Sequence, residues 1–178
     1  MRSIPWLVGV FLCLVQPYAT AAPICDGRPL RSIEFSGREC TAICRVQRKQ
    51  VLFVGDKVLF GTSDTKQGVA VPINGQTDLQ NDELNIPALS SKEFPDGRNV
   101  GRATSSVTLP TISLSIQRQL VSPSHEVLAD YREDLAIRLS ERCDSCDVIQ
   151  YRLSLIKKGK TVSSDFHQYW CRVGEQQQ

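Results

Sequence analysis

Apolar and polar residues alternate along several short stretches of the chain, and the alternation predicts β-strands. Ile149, Tyr151, Leu153 and Leu155 interleave with Gln150, Arg152 and Ser154, the period of a strand with one buried face. Lys157-Lys158-Gly159-Lys160 makes a turn, and the chain returns through Val162, Phe166, Tyr169, Trp170, Cys171 and Val173 as the second arm of a hairpin. The β-prone runs 51–54 and 57–60 flank Gly55-Asp56, which fits a two-residue turn with glycine first. A short strand over 30–36 ends at Gly37, and another over 68–73 ends at Asn74-Gly75. Ile112, Leu114 and Ile116 alternate with Ser113 and Ser115, with Pro110 limiting the start.

Two segments read differently. Residues 76–106 are rich in Asp, Asn, Ser, Pro and Gly, and predict a long polar loop. Ser122-Pro123 opens like a helix, with Ser122 as N-cap, and Leu128, Tyr131, Leu135 and Leu139 follow at helical spacing. Leu135, Ile137 and Leu139 also alternate, so a strand stays open for 135–142. The expected fold class is mainly β: an antiparallel β-sandwich or open barrel with one short helix, stapled by disulfides. It occupies a single domain over 22–174, with a frayed tail at 175–178.

The first 21 residues read as a secretory leader. Arg2 precedes an apolar run over 6–15, and Ala19-Thr20-Ala21 is an A-x-A cleavage site. The run is far short of the ~20 residues a membrane-spanning helix needs. The expectation is therefore a secreted, extracellular protein (periplasmic in a bacterium), not a transmembrane one.

Export changes how the cysteines are read. Of seven, Cys13 lies in the leader; Cys25, Cys40, Cys44, Cys143, Cys146 and Cys171 remain. An even number in an oxidising compartment predicts three disulfides. The six form two clusters, so at least one bond is expected to join them, Cys25 to Cys171 being the simplest choice. Cys143-Asp144-Ser145-Cys146 is a C-x-x-C motif. A redox dithiol needs positive potential at its thiolate. Here Asp144, Asp147 and a preceding helix C-terminus would all oppose it. A zinc site from Cys40, Cys44, Cys143 and Cys146 has feasible spacing, but export favours disulfides.

Catalytic chemistry is hard to place. His125 and His167 are the only histidines, and both read as surface residues. The paired carboxylates Asp82-Glu83 and Glu133-Asp134 read as solvated faces. No nucleophile elbow, zinc-protease or nucleotide-binding motif occurs, and no catalytic residue, cofactor or metal is assigned. The formal net charge of +2 gives no footprint for nucleic acid. Two basic clusters, Arg45, Arg48 and Lys49, and Lys157, Lys158 and Lys160, are candidates for binding an anionic surface.

The spacing of Cys25, Cys40 and Cys44, with a strand pair following and a cysteine in the last strand, resembles the start of the secreted ML lipid-recognition domains. The resemblance covers about a third of the chain. It departs where Cys143 and Cys146 fall late, with one hairpin after them. It implies a β-sandwich able to hold an apolar ligand. The expected function is a secreted non-enzymatic binding or interaction protein, its partner another protein or an extracellular surface. A carrier of a small apolar or lipid ligand is the alternative, and an enzyme with an unrecognised site is the third.

Overall fold

A computed structural model describes residues 22–40, 44–62, 68–86, 96–157 and 159–174, with backbone alone at 39–40, 44–45, 81–82, 148 and 162–169. The leader and the tail lie outside the described residues. Among the described residues twelve strands follow one another. They are β1 (Ile24–Cys25), β2 (Arg28–Pro29), β3 (Ser32–Cys40), β4 (Cys44–Val54), β5 (Lys57–Thr62) and β6 (Gly68–Pro72). Then come β7 (Gln76–Asp78), β8 (Arg98–Thr108), β9 (Thr111–Val121), β10 (Val127–Leu139), β11 (Cys146–Lys157) and β12 (Lys160–Gly174). All pairings are antiparallel. The expected mainly β, disulfide-stapled architecture is the one observed.

β1 and β2 form a small hairpin; the other ten strands take the order β6-β5-β4-β3-β12-β11-β10-β9-β8-β7. The chain passes from one set of partners to another at two places. β12 pairs with β11 over 160–165 and with β3 from Phe166 to Gly174. β6 pairs with β5, and after the corner at 73–75 the chain resumes as β7 beside β8. The order thus folds into two packed sheets, β6-β5-β4-β3-β12 and β12-β11-β10-β9-β8-β7, whose corners are strands that pass from one to the other. The second corner is held by hydrogen bonds: Ser105 N donates to Gly75 O at 2.9 Å, Val107 N to Asn74 Oδ1 at 2.6 Å, and Ser105 Oγ to Pro72 O. Asn74 takes φ 55° there, a conformation asparagine tolerates better than most residues.

Alternation sets the core. Ile33, Phe35, Val51, Phe53, Val58, Phe60, Val69 and Val71 face inward from the first sheet. They meet Val107, Ile112, Leu114, Leu135, Ile137 and Tyr151 of the second. The Phe60 and Tyr151 rings join the two layers, centroids 6.2 Å apart. The hairpin at Gly55-Asp56 forms as expected: Val54 pairs with Lys57, and Gly55 takes φ 60°.

Two expectations are corrected. The predicted helix is strand β10, and Ser122-Pro123-Ser124-His125 is a loop between β9 and β10. Ser122 still caps, but within that loop, its Oγ accepting from Glu126 N at 3.1 Å. The helical spacing misled because one inward position of β10 is charged. Ala129, Tyr131, Leu135, Ile137 and Leu139 are buried at period two, and Glu133 interrupts them. Its carboxylate has partners: Tyr131 Oη donates to Oε1 at 2.9 Å, and Arg118 Nη1 lies 3.8 Å away. Arg118 donates through Nε to Glu83 O, which belongs to a 3-10 turn at Asn81–Leu84.

The polar loop expected at 76–106 is also much shorter. It holds β7, the 3-10 turn and the first nine residues of β8. β8 hides from a hydrophobicity reading because its inward side chains are small: Ala103 and Ser105 are buried, and Val107 alone is bulky.

Candidate functional site

The outer face of the second sheet carries a groove of about 710 Å3. Its lining comes from β8, β9, β10 and β11 alone, with nothing from the first sheet, so the groove lies outside the core. Strand pairing places its outward residues in two rows. Thr104, Ser115, Asp134 and Arg152 lie directly beside one another across the four strands, and Ser106, Ser113, Ala136 and Gln150 form the next row. Short side chains in the middle leave the sheet surface open, with Arg152 and Gln150 forming one wall. Ser115 Oγ donates to Asp134 Oδ1 at 2.6 Å, which fixes one carboxylate oxygen. On the same face Gln117 Nε2 donates to Asp130 Oδ1 at 2.9 Å. A smaller hollow of about 260 Å3, lined by Asp78, Arg102, Gln117 and Gln119 among others, continues the face. The surface thus offers hydroxyls, amides and single charges at strand spacing, suited to hydrogen-bonding a polar ligand.

The cysteines sit elsewhere. Cys25 of β1 is bonded to Cys143, and Cys146 to Cys171 of β12. One bond therefore joins the two sequence clusters, as expected, but through Cys143 and not Cys171. The two cysteines of the C-x-x-C motif have different, distant partners, so they do not form a dithiol couple, and the four-cysteine zinc arrangement falls with it. Cys40 and Cys44 stand directly opposite each other in the β3–β4 ladder. Among the described residues no cluster of three or more His, Cys, Asp or Glu is placed to hold a metal ion.

The loop inside the motif is ordered by its own polar groups. Asp144 accepts from Ser140 Oγ at 2.8 Å and Ser145 Oγ at 3.1 Å. These hydroxyls hold its carboxyl below the ordinary value of 3.8. A hollow of about 390 Å3 beside it is lined by both Cys25 and Cys143, with Arg28 and Arg142.

The two basic clusters are not equivalent patches. Arg48 is exposed, but Lys49 points the other way and is buried. Its Nζ lies 5.7 Å from the centroid of Phe60 and 5.3 Å from that of Tyr151, a cation held between rings of opposite sheets. Alternation along β4 separates the two neighbours, and the sequence cluster concealed it. Only the backbone of Arg45 is described, in β4. Lys157 and Lys160 face each other at the β11–β12 turn, and Lys158 lies outside the described residues. His125 is exposed, at φ 66°, in the β9–β10 loop, and His167 belongs to β12, its side chain outside the description.

The signal that sequence reasoning missed was the row of hydroxyls. Ser113 and Ser115 were legible as outward residues, but β8 and β10, which bring Thr104, Ser106 and Asp134 beside them, were not read as strands. The fold and face together define a disulfide-bonded antiparallel β protein with a polar surface groove. Compared with known proteins, the chain matches no family model, no curated protein and no solved structure.

Proposed function

We propose that this is an exported, non-enzymatic binding protein, and that it holds its partner in the groove on the outer face of the second sheet. The observation that carries the reading is the groove's composition. About 710 Å3 of surface hollow, within the usual range of ligand sites, is lined across four strands by hydroxyls, Gln150, Asp134 and Arg152, with Leu114, Leu135, Ala136 and Tyr151 also in the lining. Among the described residues that lining has no histidine, cysteine or lysine, so its polar groups are hydroxyls, one amide, one carboxylate and one guanidinium. Two disulfides and two corner strands support such a face rigidly, and rigid scaffolds lower the ordering cost of binding. The carrier alternative draws no support from the core, where large side chains of both sheets pack against one another.

The test is to block the groove. Ser113→Tyr and Ala136→Tyr place bulk at its centre. The secreted parent and both variants are exposed to arrays of peptides and neutral glycans. Ligands retained by the parent and lost by both variants, at unchanged melting temperature, support the reading. A set of ligands identical in all three overturns it. N-terminal sequencing of protein recovered from the medium checks export: the expected first residue is Ala22.

A further inference from the structure

The outer face of the first sheet is built differently. Trp170 of β12, Ser36 of β3 and Arg48 of β4 lie side by side in one row across three strands. Arg38 follows Ser36 two residues along β3, on the same face. Trp170 is 55% exposed, and Arg38 and Arg48 are exposed too. Among the described residues neither arginine makes a hydrogen bond or ion pair. Ser36, the small residue in the middle, leaves a shallow floor between an indole on one side and a guanidinium on the other. Those two stand two strand spacings apart, roughly 10 Å. Arg172, one row further, sits opposite Glu34, which offsets its charge. Lys57, outward on β5, lies at the far end of the face beside Val54, so the positive charge near Trp170 is that of Arg38 and Arg48.

We propose that this face binds an acidic polysaccharide, one bearing sulfate or carboxylate groups on its sugar rings. The indole offers a flat apolar surface for the apolar side of a ring. The two guanidiniums offer planar donor forks, which match oxyanions bidentately where lysine would act only as a point charge. A bilayer would need several apolar side chains at one level, whereas Trp170, Val46 and Val54, the large exposed apolar residues of this face, lie on three different rows. A folded acidic protein would need a pocket to bury Trp170, whereas a sugar chain needs only its open face. The site is separate from the groove of the second sheet.

The test uses Trp170 as its own reporter. Protein recovered from the medium, expected to begin at Ala22 and so to carry Trp170 as its one tryptophan, is titrated with a heparin oligosaccharide while Trp170 emission is followed. The expected result is a saturable change that weakens as salt rises. Arg38→Gln and Arg48→Gln should each raise Kd about tenfold, the cost of one lost charge-assisted hydrogen bond. Lys157→Gln/Lys160→Gln should bind as the parent does. Arg48→Lys, which keeps the charge and removes the fork, should also weaken binding, and it decides the matter if either glutamine variant changes the melting temperature. Neutral dextran, polyglutamate and vesicles of equal parts phosphatidylcholine and phosphatidylserine complete the series. No response to heparin overturns the proposal, as does binding indifferent to both arginines. A stronger response to polyglutamate or to the vesicles than to heparin would assign the face to a protein or a membrane instead.

Discussion

Cys146 and Cys171 are bonded across a gap in the ladder that should have paired them. The β11–β12 pairing ends at Arg152 opposite Asp165. Cys146 lies six residues before the first of these and Cys171 six after the second, the positions that an unbroken ladder would place face to face. β12 has by then turned to β3, yet the two Cα atoms are 5.9 Å apart. The disulfide does there what hydrogen bonds do further along.

Removing it should therefore loosen the corner between the sheets. Cys146→Ser/Cys171→Ser is expected to lose about 2–5 kcal/mol in urea unfolding, the usual range for a native disulfide. Cys25→Ser/Cys143→Ser should lose at least as much, because its bond closes a separation of 118 residues against 25. A parent-like midpoint in either double variant would show that its bond contributes no stability. Insulin reduction by the parent should stay at background, since neither C-x-x-C sulfur has the other as its partner.

Cys40 and Cys44 are expected to be linked to each other. Four of the five other cysteines, all but Cys13 of the expected leader, are accounted for, and these two occupy directly opposed positions on β3 and β4. Alkylation without reductant should label no cysteine in the mature protein, and peptide mapping should find Cys40 and Cys44 in one linked fragment. Label on both would refute the pairing.

The Glu133–Arg118 pair offers a sharper energetic test. The two side chains are 12% and 11% exposed, and removing one partner strands the other. Glu133→Leu should destabilise by about 3–5 kcal/mol, whereas Glu133→Leu/Arg118→Met together should cost far less, because no buried charge is left uncompensated. Equal losses in the single and double variants would show that the pair is not coupled.

Asp144 should titrate below 3.8, because the Ser140 and Ser145 hydroxyls favour its ionised form. A depressed carboxyl contributes its stabilisation above the unfolded-state value and loses it as pH falls through the lower folded one. Side-chain chemical shifts followed against pH give the midpoint directly. Ser140→Ala should raise it toward the ordinary value, and a midpoint already at or above 3.8 in the parent would contradict the hydrogen bonds.

What the sequence revealed depended on whether a strand's buried side chains were large and apolar. β4, β5, β9 and β11 are regular in this sense, and each was legible. β10 was legible only from Leu135 on, as the strand alternative, because Glu133 occupies an inward place whose partners, Arg118 and Tyr131, only the folded structure brings near it. β8 was not, because Gly101, Ala103 and Ser105 supply little hydrophobicity where β9 already fills the layer. The same two omissions concealed the groove, which consists of outward residues on those strands. The grouping of Arg48 with Lys49 failed for the simplest reason: neighbours on a strand face opposite ways. The exposure of Trp170 could not be foreseen, since its row is set by where β12 leaves β11 for β3.

The change of partner along β12 makes the end of the chain decisive for all that precedes it. Each other strand of the two sheets pairs with a neighbour in sequence, so those hairpins can assemble locally. The exception joins Ile33 to Val173. Until the last strand arrives, β3 and β11 each present a bare row of amides and carbonyls, and such rows recruit foreign strands. A chain cut short before Trp170 would keep the pairing of residues 160–165 with β11 but leave β3 bare from Ser32 to Ser36, with Cys146 left without its partner. A stop codon or a protease acting within that final stretch should yield aggregates and not a smaller folded domain.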